Sequence, residues 1–179
     1  GDVYKRQKLF TAAKPAVPIR GIHLDLKGLP PTPKRFVELL DLLAAARVNC
    51  VLVEWEDMYP WRTYPELRNE TAYSPAVVKR FLDRAAKLKI QVIPLVQCFS
   101  HMENVLLKPS FAGMREVASE VRDLCPCHPE AKRVVLDMVN DVLKTHAGRI
   151  THFHLGGDEA WTLGSCPKCK AVVEKHGKA

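Results

Sequence analysis

Asp158 and Glu159 are adjacent carboxylates that follow a double glycine in the run His152-Phe-His-Leu-Gly-Gly-Asp-Glu-Ala-Trp161. Side chains alternate between faces along a strand, so neighbouring acids serve one site only where a strand ends and the backbone turns. Gly156-Gly157 permits that turn and lets a ligand approach the main chain closely. Paired carboxylates suit general acid/base chemistry, because their surroundings can keep one ionised and the other protonated. A bare Asp-Glu dipeptide reads as two solvated acids. Here a β-type run precedes it and Trp161 follows two residues later. His152 and His154 share one strand face and, with Asp158, would also suit a catalytic metal, as in a metal-dependent barrel hydrolase. His154, on the same parity as Asp158, is otherwise expected to fill the interior of the fold.

A second constellation is Cys125-Pro-Cys127-His128 with Cys166-Pro-Lys-Cys169. Cys-x2-Cys is a zinc half-site spacing, so Cys125, Cys127, Cys166 and Cys169 are candidate ligands of a structural zinc. Free thiols or a disulfide are the alternatives. Cys50 and Cys98 lie in apolar runs and read as buried thiols. Trp61 and Trp161 suit sugar stacking and plain packing equally well, since both use the same residue type.

These residues need elements to position them. Ile19–Leu26 alternates apolar and polar residues and reads as a first strand. Thr32-Pro33 starts a helix whose apolar face is Phe36, Leu39, Leu40 and Leu43. Residues 50–55 form a β-favouring run of the kind buried on both faces. Ser74-Pro75 starts a second helix, with Val78, Phe81, Leu82, Ala85 and Leu88 on its stripe. Ile90–Gln97 is a third strand, and Pro94 inside it predicts a bulge. Short helices are expected over Met102–Leu107 and Phe111–Val121. Pro129 opens a third main helix carrying Val135, Met138, Val139 and Val142, Ile150–Leu155 is a fourth strand, and Pro167–His176 opens a fourth helix. Strand-helix alternation of this kind implies an α/β fold with a parallel sheet and helices outside it. Gly28-Leu-Pro-Pro is no phosphate-binding turn of a dinucleotide fold, and the chemistry-bearing residues gather at strand C-termini, as in a (β/α)8 TIM barrel. The units present make about half of such a barrel.

The chain has 179 residues, enough for one domain with a real core. Asp2–Gln7 resembles a translated sequencing-adapter end, so residues 1–18 are set apart as a scar plus irregular lead-in, and 19–179 as a partial catalytic domain. No apolar run approaches the roughly 18–20 residues of a membrane span, so no membrane partner is expected. The net charge of +7 is scattered among 20 acids, without the basic stripe that nucleic-acid binding requires. The compartment stays open, with the cytoplasm favoured.

The residues resemble glycoside hydrolase family 20, the β-N-acetylhexosaminidases, in its hexosaminidase D type. His154-Leu-Gly-Gly-Asp-Glu159 matches the family's His-x-Gly-x-Asp-Glu signature. Arg20-Gly21 with Asp25 matches the first-strand element that carries a sugar-binding Arg. Residues 23–28, Glu54–Pro60 and Ile93–Gln97 through Ser100–Glu103 resemble the D type closely. Departures from the wider family are Glu54 in place of a His, with only Asp57 matching an Asp-Asp, and Leu95 and Gln97 in place of an acidic pair. His101 is retained.

The resemblance implies cofactor-free hydrolysis of a terminal β-linked N-acetylhexosamine from a glycan or glycoconjugate, with the substrate's own acetamide as nucleophile. Glu159 would be the general acid and Asp158 the acetamide's partner, with Trp161 an apolar wall near the acid. Arg20 would bind outer hydroxyls of the sugar, although taken alone it reads as a surface cation. Asp57 and His101 would line the site. A carbohydrate-binding module that has lost catalysis is the non-enzymatic alternative, against which the intact Asp158-Glu159 argues.

Overall fold

The computed structural model describes residues 15–177. Residues 1–14, with the adapter-like Asp2–Gln7 and most of the lead-in, and residues 178–179 lie outside the described residues. Strands β1 (Gly21–Asp25), β2 (Cys50–Glu54) and β3 (Gln91–Leu95) form one parallel sheet in that order. Parallel neighbours need crossovers, and helices α1 (Pro33–Ala45) and α2 (Pro75–Lys87) supply them. Both start as the sequence predicts. Thr32 Oγ1 accepts the Arg35 N–H at 3.4 Å, Ser74 Oγ accepts that of Val77 at 3.3 Å, and a proline opens each first turn. Both end on a left-handed residue, Arg47 (φ 61°) and Lys89 (φ 57°). The following amides close back on Leu43 and Ala85, each at 2.9 Å, which caps orphan carbonyls.

The strand register aligns Ile22, Val51 and Val92 in one row and Leu24, Val53 and Pro94 in another. This face packs on the helices over β2 and β3, while Ile22 at the β1 edge stays exposed. Phe36 of α1 stacks on Phe81 of α2 at 4.1 Å and on Tyr73 at 4.7 Å, and meets Trp55 edge-on at 5.8 Å. All four rings are buried. The opposite face, with His23, Leu52 and Ile93, is only partly covered.

The long polar and aromatic segment after β2 is built into helix α4 (Ala131–His146). Asp141 accepts the Arg62 and Thr63 N–H groups at 2.7 and 2.8 Å, and Tyr59 donates to Thr145 Oγ1 at 2.7 Å. Trp61 is part of this core, which settles its role as packing. Helix α3 is short (Glu103–Leu106), a 3₁₀ turn spans Pro109–Met114, and the residues from Arg115 to Val121 expected to be helical are not. Instead, residues 114–125 fold back antiparallel: Cys125 N–H donates to Met114 O at 2.8 Å and Glu116 N–H to Asp123 O at 2.9 Å. Helix α5 (Pro167–His176) closes the described chain.

Two expectations are corrected. Pro94 makes no bulge: it pairs in regular register with Val53. Residues 150–155 are not a strand but meet β3 at a single bridge, Leu95 with His154. One cause explains both. His154 donates to Pro94 O at 2.9 Å and accepts from Val96 N–H at 3.1 Å, so Pro94 turns its ring nitrogen toward this edge and not toward β2. Its missing donor costs the β2 ladder nothing but removes the bond that would hold residue 152. His154 is exposed, with Nδ1 accepting the Gly156 N–H at 2.9 Å, so it shapes the turn.

Candidate active site

The bridge at His154 delivers the chain to Gly156 (φ 63°) and Gly157 (φ 92°). A Cβ on Gly156 would lie 1.9 Å from Gln97 Oε1, so a larger residue there must displace the Gln97 side chain. The next two residues are the acids. His101 Nε2 lies 3.6 Å from Asp158 Oδ2 and 3.3 Å from Glu159 Oε2. Arg122 Nη2 donates to the same Glu159 oxygen at 2.8 Å and to the Glu159 main-chain carbonyl at 3.1 Å. Ser100 Oγ also donates to that carbonyl, at 3.2 Å, and receives Arg122 Nε at 3.1 Å. Glu159 (φ 52°) and His101 (φ 54°) both hold left-handed backbone, strain of a kind that concentrates at functional sites.

A second acidic network lies at the C-terminal end of β2. Gln97 Nε2 donates to Glu54 Oε1 at 2.8 Å, and its Oε1 accepts the Gly157 N–H at 3.4 Å, which ties this network to the glycine turn. His23 Nε2 stands 3.0 Å from Glu54 Oε2 and Lys27 Nζ 3.8 Å from Glu56 Oε1. Burial pushes Glu56 up to about 9; Lys27 opposes this, and the Glu54 carboxylate reinforces it. Burial also works against ionisation of Glu54, but hydrogen bonds from Gln97 and Glu56, with Lys27 and His23, hold it below the usual carboxylate range. Shifts in opposite directions favour one ionised and one protonated acid in this pair.

Asp158, Glu159 and His101 thus come together as expected from the sequence, and three expected residues stand elsewhere. Arg20 precedes β1, at the opposite end of the sheet. Its guanidinium donates to the carbonyls of Arg47 at 2.6 Å and Val17 at 2.8 Å, so it ties down the N-terminal rim. Asp57 accepts from Asn69 Nδ2 at 2.9 Å and stabilises its own loop, because the left-handed Glu56 (φ 47°) turns the preceding carboxylate inward. Trp161 is 72% exposed among the described residues. His152 binds Gln91 Nε2 at 2.8 Å, so the set His152, His154 and Asp158 is not assembled as a metal site. His101, Asp158 and Glu159 do cluster tightly enough for a cation, but the Arg122 guanidinium already supplies the positive charge there. Ser100 and Glu56 stand in the family-like stretches but were given no role from the sequence, and Arg122 stands in no motif and is revealed only by the fold-back of residues 114–125.

The family model described as "Glycosyl hydrolase family 20, catalytic domain" matches residues 18–179. The chain is 41% identical over 147 residues to hexosaminidase D of Bos taurus and 42% identical over 147 residues to that of Homo sapiens. Each match covers 82% of this chain but only 42% and 30% of those proteins. Among solved structures, a chitobiase of Flavobacterium johnsoniae superposes with a TM-score of 0.76 at 20% identity, covering 90% of this chain and 27% of that one. A Streptomyces plicatus β-hexosaminidase variant in complex with the product GlcNAc gives 0.66 at 18%, covering 90% and 36%. These likenesses show the fold, parallel (β/α) units of a TIM barrel.

Proposed function

The chain belongs to glycosyl hydrolase family 20, and on that premise we propose that the complete protein removes terminal β-linked N-acetylhexosamine from glycans by a substrate-assisted retaining mechanism. The observation that carries the reading is the Asp158-Glu159 pair at a glycine turn, gripped by His101 and Arg122. In the first step the substrate's 2-acetamido oxygen attacks the anomeric carbon as the glycosidic bond breaks. Glu159 gives its proton to the leaving oxygen; Arg122 and His101 both contact Oε2, which leaves Oε1 for that transfer. Asp158 accepts the acetamide N–H and stabilises the positive charge that the closing ring develops. In the second step Glu159, now ionised, takes a proton from water as the water opens the ring. Trp161, exposed two residues beyond the acid, offers a face on which a sugar can stack. No cofactor takes part. The chain spans less than half the length of the curated relatives it matches, so the activity is assigned to the complete protein, and residues 1–179 alone are expected not to turn over.

The test is substrate chemistry. The complete protein should hydrolyse aryl N-acetylglucosaminides or N-acetylgalactosaminides, and leave the matching glucosides, which lack the acetamide, untouched. A cyclic thiazoline that mimics the ring-closed intermediate should inhibit it. Comparable cleavage of both substrate types would overturn substrate assistance.

A further inference from the structure

Away from the reacting carboxylates, Cys125, Cys166, Cys169 and Glu116 meet with their ligand atoms all within 4.8 Å of one another. Cys125 Sγ stands 3.5 Å from Cys166 Sγ and 3.6 Å from Cys169 Sγ, and Cys169 Sγ stands 3.2 Å from Glu116 Oε2. Tetrahedral zinc with bonds of about 2.3 Å to sulfur sets neighbouring sulfurs roughly 3.8 Å apart, close to this spacing. Cys125, Cys169 and Glu116 are buried. The other oxygen of Glu116 already accepts the Gly164 and Cys166 N–H groups, at 3.0 and 2.9 Å, which orients Oε2 toward the sulfurs.

We propose that these four residues hold one structural zinc ion, with Glu116 as the fourth ligand. This changes the ligand set expected from the sequence. Cys127 is not one of the four whose ligand atoms all lie within 4.8 Å of one another, although its thiol still interacts with Cys169; it follows Cys125 in a turn closed by His128 N–H on Cys125 O at 3.1 Å. Three soft thiolates favour zinc over magnesium or calcium. The position gives the ion a task. The antiparallel segment 114–125 contributes Glu116 and Cys125 to the cluster and Arg122 to Glu159, while Asp123 accepts the Thr162 N–H at 2.7 Å. Zinc staples this segment to the start of α5, and so fixes the α5 end of the loop that carries the acid pair, whose other end is held by the His154 bridge.

The complete protein, purified reduced and without chelator, should contain about one zinc per chain by elemental analysis, as one four-ligand site requires. X-ray absorption should give three sulfurs at about 2.3 Å and one lighter ligand. Cys169→Ser and Glu116→Gln should lower zinc affinity at least tenfold, on the order of a lost ligand contact or more, and Cys127→Ser should retain it. Because the Cys169 variant can fail to fold, wild-type protein is also titrated with a mercurial, which should release the zinc stoichiometrically to a chromogenic chelator. Metal-free protein with unmodified thiols, or a disulfide among these cysteines, would overturn the site. Loss of zinc in Cys127→Ser with retention in Glu116→Gln would overturn the ligand set in favour of four sulfurs.

Discussion

Glu56 and Asp57 show how a single residue of register separates pattern from site. Asp57 fits the family pattern, yet the left-handed Glu56 is the carboxyl that turns inward beside Lys27 and Glu54. Its folded pKa of about 9 lies above the ordinary 4.5, so the folded protein keeps a proton that the unfolded chain releases. The stability this contributes is complete below pH 4.5 and is lost as pH rises toward 9. Glu56→Gln should therefore flatten the fall in urea midpoint between the acid and alkaline ends of that window. A variant whose midpoint drops as steeply as wild type would show that Glu56 is ionised in the fold. Asp158 and Glu159 were legible in the sequence because a β-type run and two glycines announce them, and His101 only through the family resemblance. Arg20 was legible only through the family resemblance, and it stands before β1, where its guanidinium meets the Arg47 and Val17 carbonyls. Arg122 and Glu116 carry no local signal, since long-range pairing alone brings them in.

Two elements decide where the acids stand: the glycine turn and the antiparallel segment 114–125. Gly156 meets Gln97, whose side chain is held by Glu54, so the turn has no room to relax. Gly156→Ala should lower kcat/KM by about 10²-fold, the scale of a 1 Å misplacement. Gly157→Ala, whose added carbon meets nothing nearer than 3.6 Å, should cost less despite its φ of +92°. Equal losses in steady-state assays would mean that strain alone, and not the contact with Gln97, sets the turn. The helix ends offer a contrast unrelated to catalysis. Lys89 occupies the left-handed cap position usually given to glycine, and Lys89→Gly should raise stability by about 0.5–1 kcal/mol in denaturant titrations. The helix starts were legible because a capping hydroxyl and a proline act locally. The fourth strand was misjudged because its β-type composition says nothing of its partner, and the partner there is Pro94.

The whole molecule is a sheet with one face packed and the other partly open. β1 pairs on one side only, and Ile19, Ile22 and Leu155 stand exposed among the described residues. Unpaired edges and apolar surface of this kind invite association. Residues 1–179 expressed alone should be oligomeric or poorly soluble by light scattering, and a monomer that unfolds cooperatively would contradict this. The fold class was legible because strand-helix alternation repeats along the whole chain, whereas sheet closure depends on strands pairing and leaves no mark on any one segment. The central claim, that Glu159 moves the proton and Asp158 serves the acetamide, is tested most directly by leaving-group dependence in the complete protein. Rates are measured for wild type, Glu159→Gln and Asp158→Asn on aryl N-acetylhexosaminides with good and poor leaving groups. Glu159→Gln should lose on the order of 10²–10⁴-fold on the poor leaving group and far less on the good one, since only the former needs protonation. Asp158→Asn should lose a similar factor on both. Two variants with the same leaving-group dependence would contradict the division of roles.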